Sequence, residues 1–542
     1  MSRVLTSVFL ASSIVFSGLT ATTVPAVAQS SSQLALNAEQ AALYAEIRKT
    51  GKLAEDLMGF YQARGFKPVW VGQRAASRAL VATLADADSH ALPLARYNAG
   101  QVQKELNAAR GTTARAAAEI RATQMFLQYA HDISSGLVEP RRIDSEMSVP
   151  RPRRSDAALL NGLNKHRNTA GYLAALAPAT ANYKGLLAEK VRLEKLIARG
   201  GWGPEVGDGP SLKPGMSSPR IPALRARLTR MGYGRLGTAP GYDARLQAAV
   251  QKFQTDHGLN ADAVVGGRTL AAINTSPQDR LVQVAVNLER ERWLNLNRGA
   301  RHIHVNLADF TVKVIDKGRT TFESRVVAGQ TPKFRTQEFN DTMTHMVINP
   351  TWHVPASIAT EELLPAIQED PTYLQRKNMR VVTRDGGAVN PASVDFNAYS
   401  QENFPYLIKQ APNGGNALGR VKFMFPNRYN IYLHDTPSKS LFARDARAFS
   451  HGCVRVQKPF ELAEVLLARQ VNNPKGTFNA ILETGRERTV SLAQPVPIYL
   501  SYNSAFIDEK GKPQYRADIY GRDRKVYNAL RKAGVSIAGI AG

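Results

Sequence analysis

The sequence predicts an α+β multidomain protein, on three observations. At 542 residues the chain is too long for a single hydrophobic core. Apolar residues recur at helical spacing in residues 37–199, and the period changes to two beyond Arg301. Between these regions residues 200–218, crowded with Gly, Pro and Ser, read as a linker. Hydrophobic residues make up 43% of the chain and charged residues 21%, which excludes wholesale disorder.

The first residues read as an export signal. Arg3 precedes an apolar stretch over residues 4–19, and Ala26-Val27-Ala28 offers a small-x-small cleavage pattern, so residues 1–28 are expected to be removed. Retention as an anchor is the competing reading. Past that point no apolar run is long enough to span a bilayer, so no stable membrane span is expected after cleavage. Seventy Lys and Arg against forty-five Asp and Glu leave a net charge of +25, which favours an anionic partner. Nucleic acid is not expected: export removes it, and the chain has no zinc-ligand spacing and no run of five basic residues.

Residues 37–199 are expected to form a helical scaffold, with Ala41, Leu43, Tyr44 and Ile47 on one face and Phe66-Lys67-Pro68-Val69-Trp70 as an extended interruption. Residues 219–274 read as a compact three-helix unit. Asp243 caps its second helix, Leu246, Ala249, Val250 and Phe253 line the inner face, and His257-Gly258 ends it. The string Ala249-Val250-Gln251-Lys252-Phe253-Gln254, with Gly258-Leu259, Gly266 and Thr269-Leu270, resembles the peptidoglycan-binding type 1 family, departing from it at Ala263 where glycine is usual. An amphipathic helix over 277–298 carries Leu281, Val284, Leu288 and Trp293 on one side.

A β-rich domain is expected over 301–507, followed by a tail, 508–542. Its strands are expected at 302–307, 310–315, 324–328, 345–349, 430–434 and 450–456. The pattern loosens over 360–419 into one helix, 361–368, and a long irregular excursion, which in a compact domain reads as a cover over a site.

Cys453 is the only cysteine, so it makes no internal disulfide. It stands in Ser450-His451-Gly452-Cys453-Val454-Arg455-Val456, and His434 lies sixteen residues before Ser450. A thiol attacks a carbonyl as thiolate and needs an imidazole to take its proton. Both His434 and His451 qualify, and spacing does not choose between them. Gly452 lets a substrate backbone approach, and its N–H with that of Cys453 is placed to face an oxyanion. Tyr432 shares a strand face with His434 and offers a further donor. His302 and His304 share a face as metal ligands can, but no acidic or sulfur ligand accompanies them, so no metal or other cofactor is expected.

The histidine, the interval and Ser-His-Gly-Cys together resemble the L,D-transpeptidase (YkuD-type) catalytic family. Asn349-Pro350-Thr351-Trp352-His353-Val354-Pro355, Asn416-Ala417-Leu418-Gly419-Arg420-Val421-Lys422-Phe423 and Asp518-Ile519-Tyr520-Gly521-Arg522-Asp523 are similar to its large periplasmic members. The resemblance implies Cys453 as nucleophile and His434 as proton donor and acceptor. It places Gly452, His451 and Tyr432 at the oxyanion or orienting positions, with Arg455, Ser450 and Trp352 as substrate-binding candidates. Arg420 and Lys422 are candidates to guide an anionic stem peptide. The implied reaction joins peptidoglycan stems by a 3-3 cross-link through a thioester, releasing D-alanine from a tetrapeptide. Trimming of stems with water as acceptor (an L,D-carboxypeptidase), hydrolysis of wall-linked peptides and a spent, wall-binding scaffold are the alternatives. A papain-like protease is disfavoured because there the cysteine precedes the histidine.

Overall fold

The computed structural model describes residues 36–537; the expected export signal lies outside them. Among the described residues no helix is long and apolar enough to cross a membrane. The helical region is built round the helix Gly111–Ser135, most of whose residues are buried after its first turn. Glu119 on that helix accepts the backbone N–H groups of Val69, Trp70 and Val71 at 2.6, 3.0 and 2.8 Å and the Tyr61 hydroxyl at 2.8 Å. A buried carboxylate thus satisfies the backbone of the extended interruption seen in the sequence.

The helices Ile221–Arg230, Ala244–Asp256 and Gly267–Asn274 enclose Leu224, Leu246, Val250 and Phe253. Residues 200–218 are not a free linker. Val206 and Leu212 enter this same core, Leu212 bridges Val265, and the buried Arg227 guanidinium donates to the carbonyls of Gly203 and Ile273. Their composition signalled an irregular path, which side chains elsewhere then satisfy. Ala263, at φ 60°, occupies the left-handed conformation that glycine accepts without penalty. The unit touches the β-rich domain through Asn260, whose N–H donates to Asp445 Oδ1 at 2.8 Å.

The strands are β1 Arg301–Asn306, β2 Thr311–Asp316, β3 Arg319–Gly329, β4 Phe339–Ile348, β5 Trp352–His353, β6 Met379–Val382, β7 Ala388–Val389, β8 Leu407–Gln410, β9 Val421–Met424, β10 Leu433–His434, β11 Ala448–Ser450, β12 Val454–Val456, β13 Arg488–Ser501, β14 Ala505–Ile507 and β15 Pro513–Tyr515. The main sheet runs β11-β3-β12-β10-β9-β4-β13-β1-β2, and β3 also pairs with β2, so the order closes on itself. Its interior is apolar, with Ile303, Val326, Met346, Phe423, Leu433 and Val454 among the buried residues.

The sequence pattern differs from the structure at two informative places. Residues 450–456, expected as one strand, split into β11 and β12, because Gly452 adopts φ 108° and turns the chain between them. His451 and Cys453 therefore do not share a regular strand face. The excursion 360–419 is ordered: with residues from Trp352 onward it forms a separate sheet, β5-β8-β6-β7, over a core containing Leu363, Ile367, Val381 and Ile408. Strands of two to four residues between polar turns leave too short a periodic signal to read.

The tail also folds. β14 and β15 make a hairpin, and the helix Arg522–Lys532 packs against the helix Pro277–Trp293. Arg522 is fully buried. Its guanidinium meets Glu338 at 3.0 Å and Glu146 at 3.2 Å and donates to the Thr336 carbonyl at 2.9 Å. It joins the helical region, the entry to β4 and the tail. Arg522→Leu strands the buried Glu338, and such a loss costs about 3–5 kcal/mol. A lowered thermal transition, partly recovered by adding Glu338→Gln, is expected in calorimetry; an unchanged transition would contradict this role.

Candidate active site

Short parallel pairing builds the site. β10 lies beside β12 with Leu433 opposite Val454 and His434 opposite Arg455, and the Val454 N–H donates to the Tyr432 carbonyl at 3.1 Å. The loop carrying Cys453 thus ends beside the segment carrying Tyr432 and His434. A cavity of about 780 Å³ opens above them. Its floor includes Cys453, His434, Tyr432, Lys422 and Arg455; its roof, from the insertion, includes Trp352, Ile358, Leu363, Tyr373 and Met379.

Cys453 is half-buried, and its Sγ donates to the Asn430 carbonyl at 3.4 Å while the Tyr432 hydroxyl bonds the sulfur. Burial pushes the thiol up to about 11, against the opposing bonds from Tyr432 and the charges of Arg455 and Lys422. His434 is buried and lowered to about 3, first by burial and then by Arg455. At neutral pH both groups are uncharged. His434 Nδ1 lies 2.5 Å from the Asp435 carbonyl. A carbonyl only accepts, so Nδ1 carries the hydrogen and Nε2 keeps its lone pair.

His451 is placed differently. Its Nε2 pairs with Glu362 of the insertion, and its ring packs on Phe334 at 4.6 Å between centroids. It ties the roof to the floor. Ser450 Oγ donates to the Cys453 carbonyl at 2.5 Å and accepts the Gly452 N–H at 3.2 Å. The Gly452 N–H is therefore engaged and does not face an oxyanion, contrary to the sequence expectation. The Cys453 N–H makes no hydrogen bond among the described residues. Glycine at 452 answers a backbone need, since a Cβ there would meet nothing closer than 3.8 Å.

Lys422 and Arg455 line the cavity, and the Arg455 Nε is buried without a hydrogen-bond partner. Arg420 does not line it: its guanidinium binds Asn349 Oδ1 and the Leu482 carbonyl, both at 3.0 Å. His302 and His304 are packing residues, one edge-on to Tyr499 and the other 2.7 Å from Ser501 Oγ. Three contributors escaped the sequence reading. Asn430 receives the thiol, Glu362 holds His451, and Thr336 Oγ1 donates to the Gly452 carbonyl at 2.8 Å. Thr336 Oγ1 also accepts the Gly329 N–H, and the Tyr520 hydroxyl donates to the Gly329 carbonyl at 2.6 Å, so a tail residue steadies the loop before Cys453. Tyr520 lies in a motif already noted; the other three carry no local signal.

Residues 300–494 match the family model described as "L,D-transpeptidase catalytic domain", residues 217–273 that of a "Putative peptidoglycan binding domain", and residues 55–189 that of a "Scaffold domain". Residues 300–494 are thus similar to L,D-transpeptidase catalytic domains. A protein of Haemophilus influenzae named "Putative L,D-transpeptidase" is 35% identical over 256 residues, 47% of this chain and 51% of that protein. The chain thus spans about half the length of the curated relative it matches. Solved L,D-transpeptidases from Xylanimonas cellulosilytica and Stackebrandtia nassauensis align at 15% and 13% identity, with TM-scores of 0.17 and 0.22. They cover 55% and 56% of this chain and 100% and 98% of their own, superpositions too poor to transfer any residue's role.

A neutral thiol beside a neutral imidazole differs from a preformed thiolate–imidazolium pair in how it titrates. Below its pKa the thiolate fraction rises tenfold per pH unit. Alkylation of Cys453 by iodoacetamide should therefore climb about tenfold per unit from about pH 6 to about pH 10. A plateau through the neutral range would mean that the pair is already ionised.

Proposed function

We propose that the chain is an L,D-transpeptidase that forms 3-3 cross-links in peptidoglycan through a thioester on Cys453, acting in the cell envelope after export. The observation that carries this reading is the fixed tautomer of His434, which leaves Nε2 as a base in the cavity that Cys453 lines.

A tetrapeptide stem enters beneath the insertion, with Lys422 and the unpartnered Arg455 guanidinium available to its carboxylates. The thiol exchanges its resting bond to the Asn430 carbonyl for one to His434 Nε2 and gives up its proton there. Sγ then attacks the carbonyl of the third residue. The free Cys453 N–H and the Tyr432 hydroxyl serve the developing oxyanion. The imidazolium returns the proton to the departing amine, and D-alanine leaves. In the second half the side-chain amine of a neighbouring diamino acid attacks the thioester and its proton passes to His434. The carbon–sulfur bond breaks, and the thiolate takes the proton back. The cleaved peptide bond's energy is kept in the thioester, so no nucleotide is consumed. A roof that limits water favours the amine over hydrolysis.

Incubation with purified disaccharide-tetrapeptide should give a cross-linked dimer lacking one D-alanine, detected by mass spectrometry. Cys453→Ala should abolish it. His434→Ala should slow it by about 100-fold or more, the range of a lost general base, and more than His451→Gln does. Tripeptide without dimer would make the chain a hydrolase, and turnover in Cys453→Ala would remove the nucleophile assignment.

A further inference from the structure

Tyr429 borders two hollows. One is the Cys453 cavity; the other is a separate groove of about 540 Å³ between the helical region and the β-rich domain. Arg141 reaches it from the helical side, and Asp341 and Arg428 from the other. The Arg428 guanidinium donates to the Tyr429 hydroxyl at 2.8 Å, and Arg141 and Ser148 line the groove across from it. Two guanidiniums from different folded regions therefore line one groove beside Tyr429. Neither has a carboxylate partner among the described residues. The nearby Glu139 is taken by Arg151, at 3.0 Å. Asp341 is likewise without a cation; its Oδ1 accepts only the Thr342 N–H at 2.7 Å.

The groove's walls are fixed in place. The Asn427 amide donates to the Phe425 and Ile431 carbonyls at 2.6 and 2.7 Å, and the Ser148 N–H donates to the Glu338 carbonyl at 2.8 Å. The residue after Tyr429 is Asn430, whose carbonyl receives the Cys453 thiol, so the groove ends one residue from the reacting sulfur.

We propose that this groove binds the second stem peptide, with Arg141 and Arg428 holding its carboxylates while its amine passes Tyr429 toward Cys453. The proposal rests on the transpeptidase reading above. Its occupant follows from position and charge. The donor stem fills the cavity beneath the insertion, so the second stem has to approach the sulfur from another side, and this groove shares Tyr429 with that cavity. An attacking stem carries an amine as well as carboxylates. The groove offers both signs. A purely polyanionic ligand would meet the uncompensated Asp341.

A tripeptide stem ending in the diamino acid lacks the bond that Cys453 would cleave, so it binds without turnover, and acylation of Cys453 removes any binding on the donor side. Its dissociation constant would be measured by calorimetry with the full chain and with Arg141→Ala/Arg428→Ala, both exposed positions, after matching melting temperatures show intact folding. Losing two exposed charge contacts should weaken binding about tenfold. Binding should survive acylation of Cys453 by a β-lactam. Equal affinity in the double variant, or binding abolished by acylation, would overturn the groove assignment. Weakened binding with no dimer from the wild-type chain would leave the groove as a stem-peptide site and remove the transpeptidase reading. Dimers together with unweakened binding would do the reverse.

Discussion

His434 is oriented by the hydrogen bond from Nδ1 to the Asp435 carbonyl, and several neighbours exist to keep that carbonyl where it is. The Asp435 carboxylate accepts the N–H groups of Arg420 and Thr436 at 2.8 and 2.7 Å and pairs with Lys439 at 2.5 Å. The chain can pass this close only because residue 419 is glycine. It has φ 62°, and a Cβ there would lie 2.3 Å from the Asp435 carboxylate. With Nδ1 committed, the lone pair of Nε2 is the base the cavity offers. Burial keeps the ring uncharged, so its basicity is not spent before a thiol proton reaches it. The raised thiol and the lowered imidazole have one common cause, burial beneath the insertion; the cations of the floor lower the imidazole further and oppose the rise of the thiol.

Several of the chain's arginines are internal. Arg225, Arg290, Arg292 and Arg522 are almost completely buried. Arg292 pairs with Glu289 at 2.9 Å and donates to the His90 carbonyl, while Arg290 meets Asp523 at 2.5 Å. These guanidiniums bind the helix Pro277–Trp293 to the helical region on one side and the tail on the other. Buried acids such as Glu289, Glu338 and Asp523 offset these buried cations, so the net charge of +25 still faces an anionic wall. The inward arginines act as fixed forks between folded regions.

The sequence made some of this legible and hid the rest for physical reasons. Period-two patterning exposed β1, β2 and the core of β3, because those strands are long and one face is buried. Ser450 to Arg455 could be located, but not shaped: only a backbone turn at Gly452 separates His451 from Cys453's surroundings, and periodicity does not report φ. Spacing left two candidate bases open. In the structure one histidine holds a carbonyl inside the cavity and the other a carboxylate from the roof. Glu362, Thr336 and Asn430 were invisible because each acts across a long sequence interval through a single contact. The insertion was read as loop because its strands are too short to show a period.

Everything proposed about chemistry converges on one covalent bond to sulfur. Intact-protein mass spectrometry after brief exposure to disaccharide-tetrapeptide, quenched in acid to preserve a thioester, tests it directly. A mass increase equal to the donor less one D-alanine is expected, mapped to Cys453 and removed by hydroxylamine. Turnover of the donor with no such adduct, or an adduct that persists in Cys453→Ala, would contradict it.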